Sequence, residues 1–332
     1  MSELGVSTEW ESLADKALAG EELTRDEALS ILRAPEEELL ALLNAAFRVR
    51  RSAFGLKVKL NMIVNAKSGI CPEDCGYCSQ SIVSTALIAK YSLLSADVLV
   101  EGAQEAWARK ARTYCIVASG RGPSGRELRE VTAAVRRIKE EMPMKICACL
   151  GLLTDEQARL LKEAGVDRYN HNLNTSADHH PKITTTHTFD DRVRTVEAVK
   201  RAGISPCSGF IAGMGETDEQ IVDIAFALRA LDADSIPVNF LHAIPGTPLE
   251  GMDELNPRRC LKILALMRLV CPAKEIRVAG GREVNLRSLQ PLAMYAANSI
   301  FVGDYLTTEG QAAAADWEML EDLGFEIEEC AL

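Results

Sequence analysis

Cys71, Cys75 and Cys78 stand at spacing C-x3-C-x2-C in the string NAKSGICPEDCGYCSQS, and thiols set this close together are metal ligands in a reducing environment. Gly69, Pro72 and Gly76 mark the string as a loop. A cubane 4Fe-4S cluster held by four Cys has no iron left open, and the ferredoxin run has a different spacing with its fourth Cys close by. No fourth Cys is near here, since the next along the chain is Cys115. Three protein ligands would leave one iron open, and an open iron can bind and reduce a small cofactor. A zinc knuckle is the alternative, although structural zinc takes four closed ligands, usually from two C-x2-C halves.

Three further cysteines lie in strand-like runs: Cys115 in TYCIVASG, Cys147 in KICACLG and Cys207 in SPCSGFIAG. In a closed barrel alternate residues of each strand face inward, so one Cys from each of several strands can meet deep inside. Taken singly, each also reads as a small core residue, because free Cys is commonly buried. Cys149 falls on the same strand face as Cys147 and reads as a packing neighbour. Cys260, Cys271 and Cys330 lie in or near helices or the tail and receive no role.

The elements that must position these groups follow a repeating order. Residues 8 to 50 read as helical, with apolar positions at helical spacing from Asp26 to Phe47. Strands are expected near 58–65, 113–118, 144–150, 167–172, 205–212, 235–241, 275–279 and 298–302. Helices lie between them. Thr154 with Gln157 and Thr217 with Gln220 form capping-box patterns, while Leu128, Val131, Val135 and Ile138 share one helical face, as do Val193, Val196 and Val199. The order predicts an α/β fold, a (β/α)8 TIM-type barrel with an N-terminal helical extension, which places reactive groups at the C-terminal ends of strands. The expected division is a helical segment at 1–50, the barrel at 51–325 and a tail at 326–332. A doubly wound open sheet is the other candidate, but no Gly-rich dinucleotide fingerprint follows the first strand.

Composition narrows the function. In 332 residues, 47% hydrophobic and 26% charged residues with a net charge of −11 are ordinary globular values. The acidic balance and short basic runs argue against nucleic acid and for a small-molecule substrate. The first 20 residues are acidic and lack the charged-then-apolar order of a signal peptide, and no run of about 18 apolar residues occurs. A cytoplasmic protein with no membrane partner is expected.

With Tyr77 before the last Cys, the loop resembles the signature of radical S-adenosylmethionine (SAM) enzymes. The resemblance implies that the SAM amino and carboxylate groups chelate the open iron. One electron then cleaves SAM to methionine and a 5'-deoxyadenosyl radical that takes hydrogen from substrate, with Tyr77 near the adenine. Together the two Cys sets resemble the biotin synthase family, from about residue 50 to 325. That resemblance implies a 2Fe-2S auxiliary cluster held by Cys115, Cys147, Cys207 and Arg277 (in EIRVAGGRE), which donates sulfur to dethiobiotin to form biotin. From residue chemistry alone Arg277 reads as a buried ion-pair partner, since a protonated guanidinium has no lone pair to give.

The family motifs imply the remaining contacts. YNHNLNTS, residues 169–176, resembles the string that reaches both SAM and dethiobiotin, with Asn172 serving both. Asn174 stands where many members have Asp, and an amide can still bond ribose hydroxyls. Asn239 matches a ureido contact, Arg192 a contact to the SAM carboxylate, and Thr307 with Thr308 the partners of the dethiobiotin carboxylate. Gly213 lies in GFIAGMGE, which resembles the Gly-rich loop beside adenine. His171 reads as structural, because radical hydrogen abstraction needs no base at carbon. The family also implies an electron donor such as flavodoxin or ferredoxin, and a homodimer. A non-catalytic iron-sulfur sensor is the competing reading from another class.

Overall fold

The computed structural model describes residues 8–329; Cys330 and both chain ends lie outside the described residues. All sheet pairings are parallel. The strands are β1 (Lys57–Lys67), β2 (Thr113–Ala118), β3 (Lys145–Cys149), β4 (Arg168–Asn170), β5 (Ser205–Cys207), β6 (Phe210–Ala212), β7 (Ser235–Phe240), β8 (Glu275–Val278), β9 (Ser299–Phe301) and β10 (Glu326–Ile327). Their order runs β10-β1-β2-β3-β4-β5-β7-β8-β9, and β1 pairs with β9 to close the barrel.

The single run expected at 205–212 is two strands. β5 pairs with β7 through Cys207 and Ser235, and β6 pairs with β7 from Phe210 to Ala212. The break falls at Gly209, where a Cβ would lie 1.9 Å from the Pro237 carbonyl oxygen. Only glycine lets the two backbones approach so closely. β5 and β6 therefore fill one barrel position, and eight positions close the ring. β10 is a short strand that the sequence reading missed; it pairs with the start of β1 at Lys57 and Val58, too short to show a period.

Helices cover the outside. The capping boxes at Thr154/Gln157 and Thr217/Gln220 are present and start helices Asp155–Glu163 and Asp218–Ala230. The N-terminal segment forms α1 (Thr8–Leu18), α2 (Arg25–Leu32) and α3 (Leu39–Phe54). α3 leads directly into β1, and buried Arg50 joins them by donating from Nη2 to the Lys57 carbonyl at 2.8 Å and from Nε to that of Ala297 at 3.2 Å. α1 packs on α3, and α3 on helix Pro257–Val270; Cys260 in that helix and Cys271 just after it belong to the apolar core between strands and helices. A second, smaller cluster of Cys115, Cys147, Cys207, Ala279 and Phe301 fills the barrel interior. No helix among the described residues is long and apolar enough to cross a membrane.

Candidate active site

Strand register brings the scattered cysteines together. Cys115 stands opposite Cys147, Cys147 opposite Arg168, Asn170 opposite Cys207, and Pro237 opposite Arg277. Cys115, Cys147 and Cys207 are buried at neighbouring heights inside the ring. The Cys115 thiol beside it is the leading cause of the raised Cys147 pKa, and the Cys147 thiol the leading cause for Cys207. The Arg277 guanidinium completes the group, with Nη1 4.0 Å from the Cys207 sulfur. Cys149, two residues on from Cys147, faces the same interior; its enclosure pushes the thiol up to about 12.

The three-cysteine loop sits above, at the C-terminal end of β1, and is tied down by groups that the sequence reading did not single out. Asp74 accepts hydrogen bonds from the Thr184 hydroxyl at 2.6 Å and the Thr185 N–H at 2.9 Å, and Glu73 accepts from the Thr186 hydroxyl at 2.6 Å, from Arg121 at 3.1 Å and from His187. These bonds hold both carboxyls below the ordinary carboxylate range despite the opposing effect of burial. The available signal was two acidic residues inside a cysteine loop and the run TTTH at 184–187. Neither has a periodicity, and only the fold reveals that the two segments meet.

From His187 the network continues inward. Arg192 is 7% exposed, so it is not a solvated helix residue. It contacts His187 Nε2 at 2.6 Å and donates to the Asn172 carbonyl at 2.8 Å. The Asn174 side-chain oxygen accepts from the Tyr77 hydroxyl at 2.5 Å and from Arg192 at 3.0 and 3.2 Å. Asn174 has φ +69°, a left-handed conformation that Asn tolerates better than most residues. It thus links the cysteine loop to the helix that carries Arg192. His171 is buried, and burial depresses its pKa far below the ordinary value, so it is neutral.

A continuous cavity of about 410 Å³ runs from the loop to the thiols in the barrel, within the range of small-molecule sites. All seven sulfur atoms of Cys71, Cys75, Cys78, Cys115, Cys147, Cys149 and Cys207 belong to residues of its wall, together with Tyr77, Asn172, Asn174, Arg192, Asn239, Arg277, Thr307 and Thr308. Gly213 is not in that wall. Its N–H donates to Glu216 at 2.6 Å, and a Cβ there would strike Leu255 at 2.7 Å. Asn239 spends its oxygen on the Gly280 N–H at 3.0 Å and one N–H on the Phe210 carbonyl at 3.0 Å. Asn172 accepts from the Gly209 N–H at 3.0 Å and from Asn170 at 2.9 Å, which leaves its own amide N–H groups for a ligand. Thr307 meets Ser79, next to Cys78, at 2.8 Å.

The loop thiols fit an iron-sulfur cluster. Burial raises Cys71, Cys75 and Cys78, the last to about 12, and mutual repulsion adds to the rise at Cys71 and Cys78. Iron relieves such crowding by binding thiols as thiolates.

A parallel barrel with three loop thiols beside a small-molecule cavity defines a radical SAM enzyme, and residues 66–228 match the Radical SAM superfamily; a 4Fe-4S cluster and SAM are its cofactors. Residues 237–326 match the Biotin and Thiamin Synthesis associated domain. The chain belongs to the biotin synthase family: it is 67% identical over 319 residues to the biotin synthase of Geobacillus kaustophilus, covering 96% of each chain. It is also 64% identical to that of Bacillus pumilus, covering 98% of this chain and 99% of the relative, and 64% identical to that of Bacillus subtilis, covering 96% of each. Among solved structures, methylornithine synthase superposes with TM-score 0.83 at 22% identity, covering 96% and 97% of the two chains. The hydrogenase maturase HydG from Carboxydothermus hydrogenoformans gives 0.82 at 19%, covering 98% and 80%. These two likenesses concern the fold.

Proposed function

We propose that this chain forms biotin from dethiobiotin in one cavity, with Cys71, Cys75 and Cys78 holding the 4Fe-4S cluster and Cys115, Cys147, Cys207 and Arg277 holding a 2Fe-2S cluster. The supporting observation is that both cysteine sets line the same cavity. When bound, the first cluster and SAM supply a radical that removes hydrogen from dethiobiotin, and the second cluster supplies the sulfur.

The chain's own residues bind, orient and exclude water. Tyr77, Asn174 and Arg192 form one hydrogen-bonded unit beside the loop, suited to the adenosine and carboxylate ends of SAM. Asn172 offers free amide N–H groups to a ribose or ureido oxygen, and Asn239 has one N–H remaining. Thr307 and Thr308 place hydroxyls at the rim for a substrate carboxylate. Gly213 shapes the wall from behind by letting the chain turn at φ +94°. The cavity of about 410 Å³ gives both thiol sets a common space for small ligands. By family resemblance the electron comes from a flavodoxin- or ferredoxin-like carrier, and the chain acts as a cytoplasmic homodimer.

Anaerobic reconstitution with iron and sulfide, followed by assay with SAM, dethiobiotin and a low-potential reductant, tests the reading. Biotin and 5'-deoxyadenosine should appear together. Cleavage of SAM without biotin would leave a radical SAM enzyme acting on another substrate.

A further inference from the structure

The floor of the barrel differs from that of an ordinary (β/α)8 barrel, where layers of branched apolar side chains fill the interior. Glu275, two residues before Arg277 on β8, is 3% exposed and bound on both oxygens. Oε1 accepts from Arg277 Nη2 at 2.6 Å and from the Ser235 hydroxyl at 3.1 Å. Oε2 accepts from Lys59 at 2.8 Å and from Arg168 at 2.5 Å. These four residues come from β1, β4, β7 and β8, so the carboxylate ties together widely spaced barrel positions.

Stability does not account for this arrangement. Taking a carboxylate and three cations out of water is expensive, and apolar replacements of buried ion pairs are often neutral or stabilising. The arrangement does have a clear geometric effect on Arg277. Its Nη2 is taken by Glu275 and by Ser235 at 3.0 Å, its Nε by Ser299 at 3.2 Å, and its face lies 4.9 Å from the centre of the Phe301 ring. The edge left over is Nη1, which faces the Cys207 sulfur. A long side chain with many rotamers is thereby reduced to one orientation.

We propose that Glu275 is a positioning residue for the second iron-sulfur site: it clamps the floor edge of the Arg277 guanidinium so that Nη1 is presented to the thiols. The proposal rests on the reading of Cys115, Cys147, Cys207 and Arg277 as that site's ligands. Lys59 and Arg168 hold the carboxylate from its far oxygen, so Glu275 does not swing toward the thiols. Arg168 stands opposite Cys147 in register, which adds a second cation beneath the sulfurs.

The test uses the full chain reconstituted with iron and sulfide, in the Glu275→Gln, Ser235→Ala and Cys207→Ala variants. Glu275→Gln should keep the first cluster and SAM-dependent 5'-deoxyadenosine formation. Its second cluster should show altered Mössbauer parameters and be lost to a chelator about tenfold faster or more, the usual scale for outer-shell partners of a metal ligand. Ser235→Ala should move the same signals in the same direction by less. A folded Glu275→Gln protein with the parent's Mössbauer spectrum and chelator resistance overturns the proposal, even if its melting temperature falls. Should Glu275→Gln not fold, an unchanged spectrum in Ser235→Ala overturns it instead. Cys207→Ala separates the two levels: if it keeps the second cluster, or the parent holds none, the ligand reading fails and the proposal with it. If Cys207→Ala loses the cluster and Glu275→Gln does not, the positioning role alone fails.

Discussion

The two thiol sets face one cavity but are held in opposite ways. Cys71, Cys75 and Cys78 sit on a loop with no regular structure, fixed by side-chain bonds from Glu73 and Asp74 to Thr184, Thr185, Thr186 and His187. Cys115, Cys147 and Cys207 sit on strands, fixed by the backbone ladder. A loop whose end must meet a changing cofactor can adjust when its anchoring bonds shift. A strand cannot move one residue without disturbing both neighbours, so the inner set is the rigid one.

The sharpest way to break this contrast is to remove one thiol from each set. Cys71→Ala should abolish SAM cleavage, and persistent 5'-deoxyadenosine would refute the open-iron reading. Cys207→Ala should keep the first cluster and 5'-deoxyadenosine while biotin is lost, so normal biotin formation would reduce the inner set to packing. Next in size, Glu73→Gln should weaken retention of the loop cluster about tenfold, the scale for outer-shell partners, and leave the inner cluster's absorption unchanged. Equal losses from both sites would show that the two halves are not held independently.

A pH effect also belongs to the loop side. His180 packs edge-on against His187, and burial with the Arg192 charge lowers its pKa to about 4. The unfolded chain takes up this proton near pH 6.5, whereas the folded chain does so only near its lowered value. Stability from His180 is therefore complete above about pH 6.5 and falls as pH drops toward 4. Thermal unfolding of His180→Gln beside the parent should show a smaller loss between pH 7 and pH 5. Parallel curves would refute it. The smallest change is expected from Cys149→Ser, whose inner-cluster Mössbauer spectrum should match the parent's; an altered spectrum would make Cys149 a ligand.

How legible each region was follows from the same contrast. Strand positions 113–118 and 235–240 and the capping boxes at Thr154 and Thr217 were readable because local propensity and period set them. The break at Gly209 was not, because it depends on the approach of the Pro237 carbonyl from another strand. Arg192 was legible as a SAM carboxylate contact only through the family resemblance, and its burial was not, since what surrounds a helical face is decided by the next element. Asn174 was read as a ligand contact; its bonds to Tyr77 and Arg192 place it within the frame that would hold one.

By itself the sequence determined the reaction class, because the spacing of Cys71, Cys75 and Cys78 is a local property of eight consecutive residues. It also determined the alternation of strands and helices, for the same reason. Only the tertiary structure decided that Cys115, Cys147 and Cys207 meet, that Glu73 anchors the loop across more than a hundred residues to His187, and that Glu275 grips one edge of Arg277. Those are statements about strand register and barrel closure, and register is set by the pairing of distant segments rather than by any one of them.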